Sequence, residues 1–133
     1  MSMTRIESNK VDVGKSSKEI FEFLSDFSNF RTLMPPQVVD WEQDAEGCSF
    51  TIKGMASLGL KYENKIPFSE IVMENKGKSP FDFKIIAKIE EAGPASKVQL
   101  FLDAELNPFL KMMAEKPLGN FLNLLVEKLK GSV

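Results

Sequence analysis

The 133-residue sequence contains no histidine and only one cysteine, one tryptophan and one tyrosine. Histidine is the side chain best suited to acid–base chemistry near neutral pH and is the commonest metal ligand, so its absence disfavours catalytic and metal-binding roles. A single cysteine, Cys48, excludes an intrachain disulfide and a thiolate metal cage, and it is consistent with a reducing compartment. Because Cys48 shares its strand parity with Phe50 and Ile52, we expect it to be a small buried apolar residue.

The sequence also lacks a long basic stretch and a long apolar stretch. Lysine and arginine number 17 against 19 acidic residues, a formal net charge of -2, and without a long basic run nucleic-acid binding is not expected. No apolar stretch reaches the length of a membrane-spanning helix, and "MSMTRIESNK" has no signal-peptide core. We therefore expect a cytoplasmic protein without integral membrane association, and no residue pattern indicates a bound cofactor or metal.

The residues that are present indicate a folded chain with an aromatic interior. Eleven phenylalanines dominate the aromatic content, and 43% of the residues are hydrophobic while 27% are charged. This balance is typical of a globular protein, and the length suits one domain spanning 1–133. No linker, repeat or low-complexity segment divides the sequence.

The N-terminal third predicts a strand, "TRIESNKVDV", followed by two short helices. Ser16 and Glu19 have the spacing of a capping box, and the apolar residues that follow recur at helical spacing. The polar stretch "SDFSN" interrupts this pattern, so it predicts a break between the two helices. Pro35 and Pro36 are expected to end the second helix.

From residue 37 the apolar period changes to two, which predicts an antiparallel meander. It begins with a hairpin in "QVVDWEQDAEGCSFTIKGM", which is expected to turn near Glu46-Gly47 and to face inward with Val39, Trp41, Cys48, Phe50 and Ile52. Further strands are expected in "LGLKYENKIP", "SEIVMEN", "FDFKIIAKIEE" and "KVQLFLDAEL". In "LGLKYENKIP", the parity that carries Leu58 and Leu60 also carries Tyr62 and Asn64. The face that should pack inward therefore carries two hydrogen-bonding side chains.

The C-terminal segment "NPFLKMMAEKPLGNFLNLLVEKLKGSV" predicts one long helix. Asn107 is a good N-cap, and Pro108 falls where the first helical turn tolerates proline. The second half carries an apolar stripe, and Gly131 can end the helix. Pro117 lies inside the pattern, so we expect a kink or a break there.

This order of elements resembles the helix-grip fold of the START / Bet v 1-like / polyketide cyclase superfamily (SRPBCC). The matching segments are "IESNKVDVGKSSKEIFEFLSDFSNFRTLMP" and "NPFLKMMAEKPLGNFLNLLVEKLK", and the resemblance covers nearly the full length through order and pattern. It implies an α+β fold in which a curved antiparallel β-sheet wraps around a long C-terminal α-helix, with an apolar cavity between them. Members bind lipids, sterols, polyketides and other hydrophobic ligands, and a few are cyclases, hydrolases or co-chaperones.

A cavity of this kind would make several inward side chains ligand-binding candidates. They are Trp41, Phe50, Tyr62, Asn64, Phe83, Phe109, Met112, Met113 and Phe121. Tyr62 and Asn64 would orient the polar end of a small hydrophobic ligand, and flexible methionines before Pro117 would line or gate the entrance. In the alternative interpretation, Tyr62 packs in a plain core with its hydroxyl at the sheet rim, Asn64 bonds a backbone group, and the methionines fill gaps. Sheet edges or the long helix could also pair two copies into a homodimer.

Two other functions remain open at this point. A polyketide-cyclase-like enzyme for aldol or dehydration chemistry would need a carboxylate beside Tyr62, yet Asp103 and Glu105 have outward parity. A protein-interaction module would have a filled core and an exposed apolar patch, for which "NFRTLMPPQVV" is the candidate segment. The alternating acidic residues of "DWEQDAE" predict a solvated outward face rather than a calcium site.

Overall fold

The computed structural model describes residues 3–77, 79 and 81–133, which form three helices and eight strands. The strands are β1 (Met3–Glu7), β2 (Val11–Val13), β3 (Val38–Gln43), β4 (Cys48–Ile52), β5 (Ala56–Ile66), β6 (Glu70–Asn75), β7 (Phe83–Ala92) and β8 (Ala95–Glu105). The helices are α1 (Ser17–Leu24), α2 (Phe27–Leu33) and α3 (Pro108–Leu129). None of these helices is long and apolar enough to cross a membrane.

All eight strands belong to one curved antiparallel sheet. Its order is β1-β8-β7-β6-β5-β4-β3, and β2 also pairs with β8. The segment "TRIESNKVDV", predicted as one strand, belongs to two strands, β1 and β2, which are separated at residues 8–10. The two short helices follow these strands, and the long helix comes last. The predicted helix-grip α+β fold is therefore confirmed.

Local side-chain caps explain where the helices start. Ser16 accepts a hydrogen bond from the Glu19 N–H at 3.2 Å, which forms the predicted capping box of α1. Asp26 accepts from the Ser28 N–H at 2.8 Å and begins α2 directly after the polar break. Asn107 accepts from the Leu110 N–H at 2.8 Å and begins α3.

The long helix passes through Pro117 without a break, contrary to one of the two outcomes expected there. Proline has no N–H, so the carbonyl of Met113 loses the helical donor that it would otherwise have four residues later. The inner face of α3 is nevertheless buried on both sides of this residue. Its buried residues are Ala114, Leu118, Phe121, Leu122, Leu125, Val126 and Leu129.

The core lies between this helix and the concave face of the sheet. In β7 and β8 alternate residues face this core, and the buried ones are Phe83, Ile85, Ala87, Ile89, Val98, Leu100, Leu102 and Ala104. Phe101 is also buried, on the opposite face, where Arg5 lies 4.8 Å and Lys88 5.3 Å from its ring centroid. Asp103 is on that outer face as well and binds Arg5 at 2.7 and 2.9 Å.

A β-bulge in β5 reverses the parity on which one prediction depended. Tyr62 pairs with Met73, whereas Asn64 pairs with Val72, so Glu63 is an extra residue on this strand. Beyond the bulge Lys65 pairs with the buried Ile71, and Asn64 is exposed. The predicted inward orientation of Asn64 is therefore wrong.

A second bulge lies in the edge strand β3. The register shifts between Val39 and Glu42, and Asp40 adopts a φ of 55°, in the left-handed region. As a result, Val38 rather than Val39 packs against the core together with the half-buried Trp41. The predicted inward position of Val39 is thereby corrected.

Candidate ligand cavity

A cavity of about 550 Å³ opens between the N-terminal half of α3 and the β4–β5 turn. Its apolar lining consists of Ile52, Met55, Ala56, Phe81, Leu110, Met113, Ala114, Pro117 and Phe121, beside Gly54. Three polar side chains complete the lining: Gln37, Lys53 and Asn120. A mostly apolar wall with a few polar groups is typical of small-molecule sites, which span roughly 300–1,000 Å³.

Helical periodicity builds one wall of this cavity. Leu110, Ala114, Pro117 and Phe121 follow one another at spacings of three or four residues, so they share one face of α3. The Asn107 cap fixes where that face begins. Because α3 is continuous, residues on both sides of Pro117 contribute to a single wall.

The opposite wall is a tight turn between β4 and β5. The Met55 N–H donates to the Ile52 carbonyl at 3.0 Å, and Gly54 has a φ of 78°. A side chain would be strained at that φ, which explains glycine at the tip of the turn. The turn thereby holds Lys53 and Met55 at the rim of the cavity.

An aromatic row lies behind the cavity. The ring centroid of Phe121 is 6.1 Å from that of Phe50, and Phe50 stacks on Trp41 with centroids 5.7 Å apart and planes at 12°. Phe83 makes an edge-on contact, with centroids 5.8 Å apart, with the cavity-lining Phe81. Of these predicted residues, Phe121 lines the cavity, while Trp41, Phe50 and Phe83 lie behind its lining.

Tyr62 lies outside this lining and is held by other contacts. Its hydroxyl donates to the Leu24 carbonyl at 2.6 Å, and its ring stacks on Phe27 with centroids 4.2 Å apart. The Lys65 ammonium lies 4.1 Å from the Tyr62 ring centroid. Burial raises the pKa of Tyr62 above its ordinary value of 10.0. This arrangement matches the alternative interpretation, in which Tyr62 belongs to the packed core.

Two of the three predicted helix residues before Pro117 are outside the cavity as well. Phe109 is 64% exposed and Met112 is 80% exposed, and neither contributes to the lining. Successive residues of an α-helix are about 100° apart around its axis. Met112 and the inward-facing Ala114 are two residues apart, so their side chains point about 160° away from each other. Met113 alone of the three lines the cavity, at its solvent-exposed rim.

Among the described residues, the cavity lining contains no carboxylate, and Lys53 is its single charged side chain. Asp103 is paired with Arg5 on the outer face of the sheet, so it does not meet Tyr62. Glu105, the other carboxylate considered for the cyclase-like alternative, has the same strand parity as Asp103, and neither belongs to the cavity lining.

Cys48 and the acidic residues of "DWEQDAE" were the other groups considered for chemistry. Cys48 is 2% exposed, as predicted, and its burial raises the thiol pKa to about 12. The four acidic residues of the "DWEQDAE" segment are exposed, and the described residues contain no cluster of three or more that could hold a metal ion. One of them, Asp44, binds Lys76 at 2.9 Å and accepts two backbone N–H bonds, which lowers its pKa to about 2.

Several lining residues were not predicted from the sequence. Gln37, Lys53 and Asn120 follow no local sequence motif, because they come from a loop, a turn and a helix that meet only in the folded chain. The spacing of Leu110, Ala114 and Pro117 relative to Phe121 was visible in the sequence and could have identified the helical wall.

Comparisons with known proteins agree with this fold. No protein-family model and no curated protein matches the chain. A START superfamily protein from Mycobacterium smegmatis superposes with a TM-score of 0.72 at 18% identity, covering 97% of this chain and 94% of that one. TTHA0849 from Thermus thermophilus gives 0.75 at 11% identity, with 97% and 96% covered. Norcoclaurine synthase from Thalictrum flavum, in complex with dopamine and hydroxybenzaldehyde, gives 0.77 at 11% identity, with 98% and 86% covered. Because these identities are low, the comparisons establish the START / Bet v 1-like fold of this chain and nothing beyond its fold.

Proposed function

We propose that this chain, which has the START / Bet v 1-like fold, binds or carries a small hydrophobic ligand in the cavity beside the N-terminal half of α3. The observation that carries the proposal is the cavity itself, whose volume is about 550 Å³ and whose lining is mostly apolar. A lipid, polyketide or aromatic metabolite would replace water along these walls. Burial of apolar surface contributes about 25 cal/mol per Å², so a modest ligand surface supplies useful affinity.

The polar groups of the lining restrict the chemistry of the ligand. Gln37 and Asn120 offer amide donors and acceptors, and Lys53 offers a positive charge at the open rim. A ligand with an apolar body and one polar or anionic end suits this arrangement. In this proposal these three side chains take the orienting role that the sequence had suggested for Tyr62 and Asn64.

The first experiment is native mass spectrometry of the purified protein, followed by organic extraction and identification of any retained compound. We expect a lipid or aromatic metabolite, or saturable uptake of a fluorescent fatty acid by the ligand-free protein. A clean ligand-free mass together with no uptake of that probe would contradict the proposal.

Variants of the cavity wall locate the binding site. Ala114→Phe should fill the cavity and reduce uptake of the fluorescent fatty acid by about tenfold or more. Ala92→Phe is the matched control, because Ala92 is exposed at the end of β7. Ala56→Trp repeats the test from the opposite wall and keeps it decisive if Ala114→Phe does not fold. Unchanged uptake by a folded Ala114→Phe or Ala56→Trp variant would place the site elsewhere.

A further inference from the structure

The outer face of α3 carries an exposed apolar surface. Among the described residues, seven large hydrophobic side chains are exposed, and four of them belong to this helix. They are Phe109 at 64%, Met112 at 80%, Met113 at 62% and Leu124 at 43%. Single exposed apolar residues are common, but a group on one element marks an interaction surface.

These four residues form a stripe because of their helical spacing. Met112 and Met113 follow Phe109 by three and four residues, and Leu124 lies about three turns beyond Met113 on the same side. The inner face of α3 already packs against the sheet. A surface helix of a soluble protein is normally polar on its outer face, whereas α3 is apolar on both faces in its first half.

The charge of this segment differs in sign from the rest of the protein. Residues 108–133 contain four lysines and two glutamates, a net charge of +2, whereas the whole chain has -2. The other 107 residues therefore sum to -4. Lys116 lies between the exposed residues of the stripe, and Lys53 lies at the nearby cavity rim. Neither lysine makes an ion pair with another described residue.

We propose that the outer face of α3 docks on the surface of an anionic lipid bilayer. Phe109, Met112 and Leu124 enter the boundary between headgroups and acyl chains, and Lys116 contacts lipid phosphates. An apolar stripe with basic residues suits such an interface, because the two attractions add while the acidic remainder of the protein faces water. Met113 belongs to both the stripe and the cavity lining, so docking brings the cavity opening to the bilayer. This inference does not depend on the cavity holding a ligand.

A second copy of the chain is a less suitable occupant. In a two-fold contact the same patch meets itself, so Lys116 would face a surface whose acidic residue, Glu127, is already paired with Lys130 at 3.8 Å. A bilayer containing anionic lipid instead supplies the missing negative charge.

The test uses the full chain and sedimentation with vesicles, either of phosphatidylcholine alone or of phosphatidylcholine with one quarter phosphatidylglycerol. We expect binding to the anionic vesicles that weakens by about tenfold or more in Phe109→Ser and in Met112→Ser. Lys116→Glu should weaken it as well, and added salt should reduce it, because the attraction of exposed charges is screened. Absence of binding to the anionic vesicles overturns the proposal.

Matched controls separate docking from general effects. Met3→Ser and Phe68→Ser remove exposed apolar side chains elsewhere, and Lys18→Glu reverses a charge on α1. These variants should bind vesicles like the original protein, and an equal loss in them would overturn the proposal. Sedimentation velocity without vesicles tests the second copy as the occupant. A dimer that dissociates in Met112→Ser would overturn the proposal. Ala114→Phe should retain vesicle binding, so failure of the cavity proposal is distinguishable from failure of this one.

Discussion

Tyr62 connects the sheet to the end of the first helix. The carbonyl of Leu24 is at the last turn of α1, where helix carbonyls have no intrahelical donor, and the Tyr62 hydroxyl satisfies it at 2.6 Å. The ring packs against Phe27 at the start of α2. One side chain from the sheet therefore fixes the junction between the two short helices.

The variant Tyr62→Phe removes this hydrogen bond while keeping the ring. Because a half-buried carbonyl would lose its donor, we expect the free energy of unfolding to fall by about 1 kcal/mol. Urea denaturation measures this change. Uptake of the fluorescent fatty acid should stay the same, because Tyr62 is not in the cavity lining. A loss of uptake without a loss of stability would return Tyr62 to the binding site.

The sequence predicted the inward position of Tyr62 but not that of the residues after it. Strand parity holds from Leu58 to Tyr62 and then reverses at the bulge around Glu63. No glycine or proline marks this bulge, and one inserted residue moves every later side chain to the other face. Alternation alone therefore predicts the wrong face for Asn64.

At the scale of elements, helix boundaries were well predicted because local chemistry sets them. The Ser16 and Asn107 caps are short-range interactions that any sequence carrying those residues can form. The inner stripe of α3 was also predicted, since it follows a period of 3.6. The exposure of Phe109 and Met112 was not predicted, because both were expected to face the cavity, whereas they lie on the side of α3 away from the buried Ala114.

Pro117 offers a test of how the long helix is stabilised. The helix continues through this residue although its i→i−4 hydrogen bond is missing. Because alanine restores that bond and is favoured by about 3 kcal/mol inside a helix, we expect Pro117→Ala to raise the free energy of unfolding by roughly 1–3 kcal/mol. The matched control is Lys111→Ala, which changes an exposed helical residue without affecting the backbone bond. Thermal unfolding followed by circular dichroism measures both variants, and a destabilised Pro117→Ala would show that the ring packing matters more than the bond.

At the scale of the whole molecule, the composition sets the pH range of stability. The chain has no histidine, so no side chain with an ordinary pKa between 5 and 8 is present. Asp44 has its pKa lowered to about 2, so its stabilising contribution is present above about pH 4 and is lost as the pH falls toward 2. Stability should therefore be nearly constant from about pH 5 to 8.

The alkaline limit follows from the two buried acidic groups. Burial raises the pKa of Cys48 from 9.0 to about 12, and it raises the pKa of Tyr62 above 10.0. Above pH 9 the unfolded chain loses the thiol proton while the folded chain keeps it. The unfolded state then binds fewer protons, so the free energy of unfolding falls as the pH rises. The limiting slope is about 1.4 kcal/mol per pH unit for each such group.

The variant Cys48→Ala separates the two contributions. It should be less stable at pH 7, because a buried side chain is shortened, but its stability should change little between pH 9 and 10, where the original protein declines. Both proteins should decline above pH 10, when the tyrosine of the unfolded chain ionises and Tyr62 in the folded chain does not. Urea denaturation at half-unit pH steps measures these slopes. An equal decline of the two proteins between pH 9 and 10 would contradict the prediction. It would mean that the Cys48 thiol ionises as readily in the folded chain as in the unfolded one.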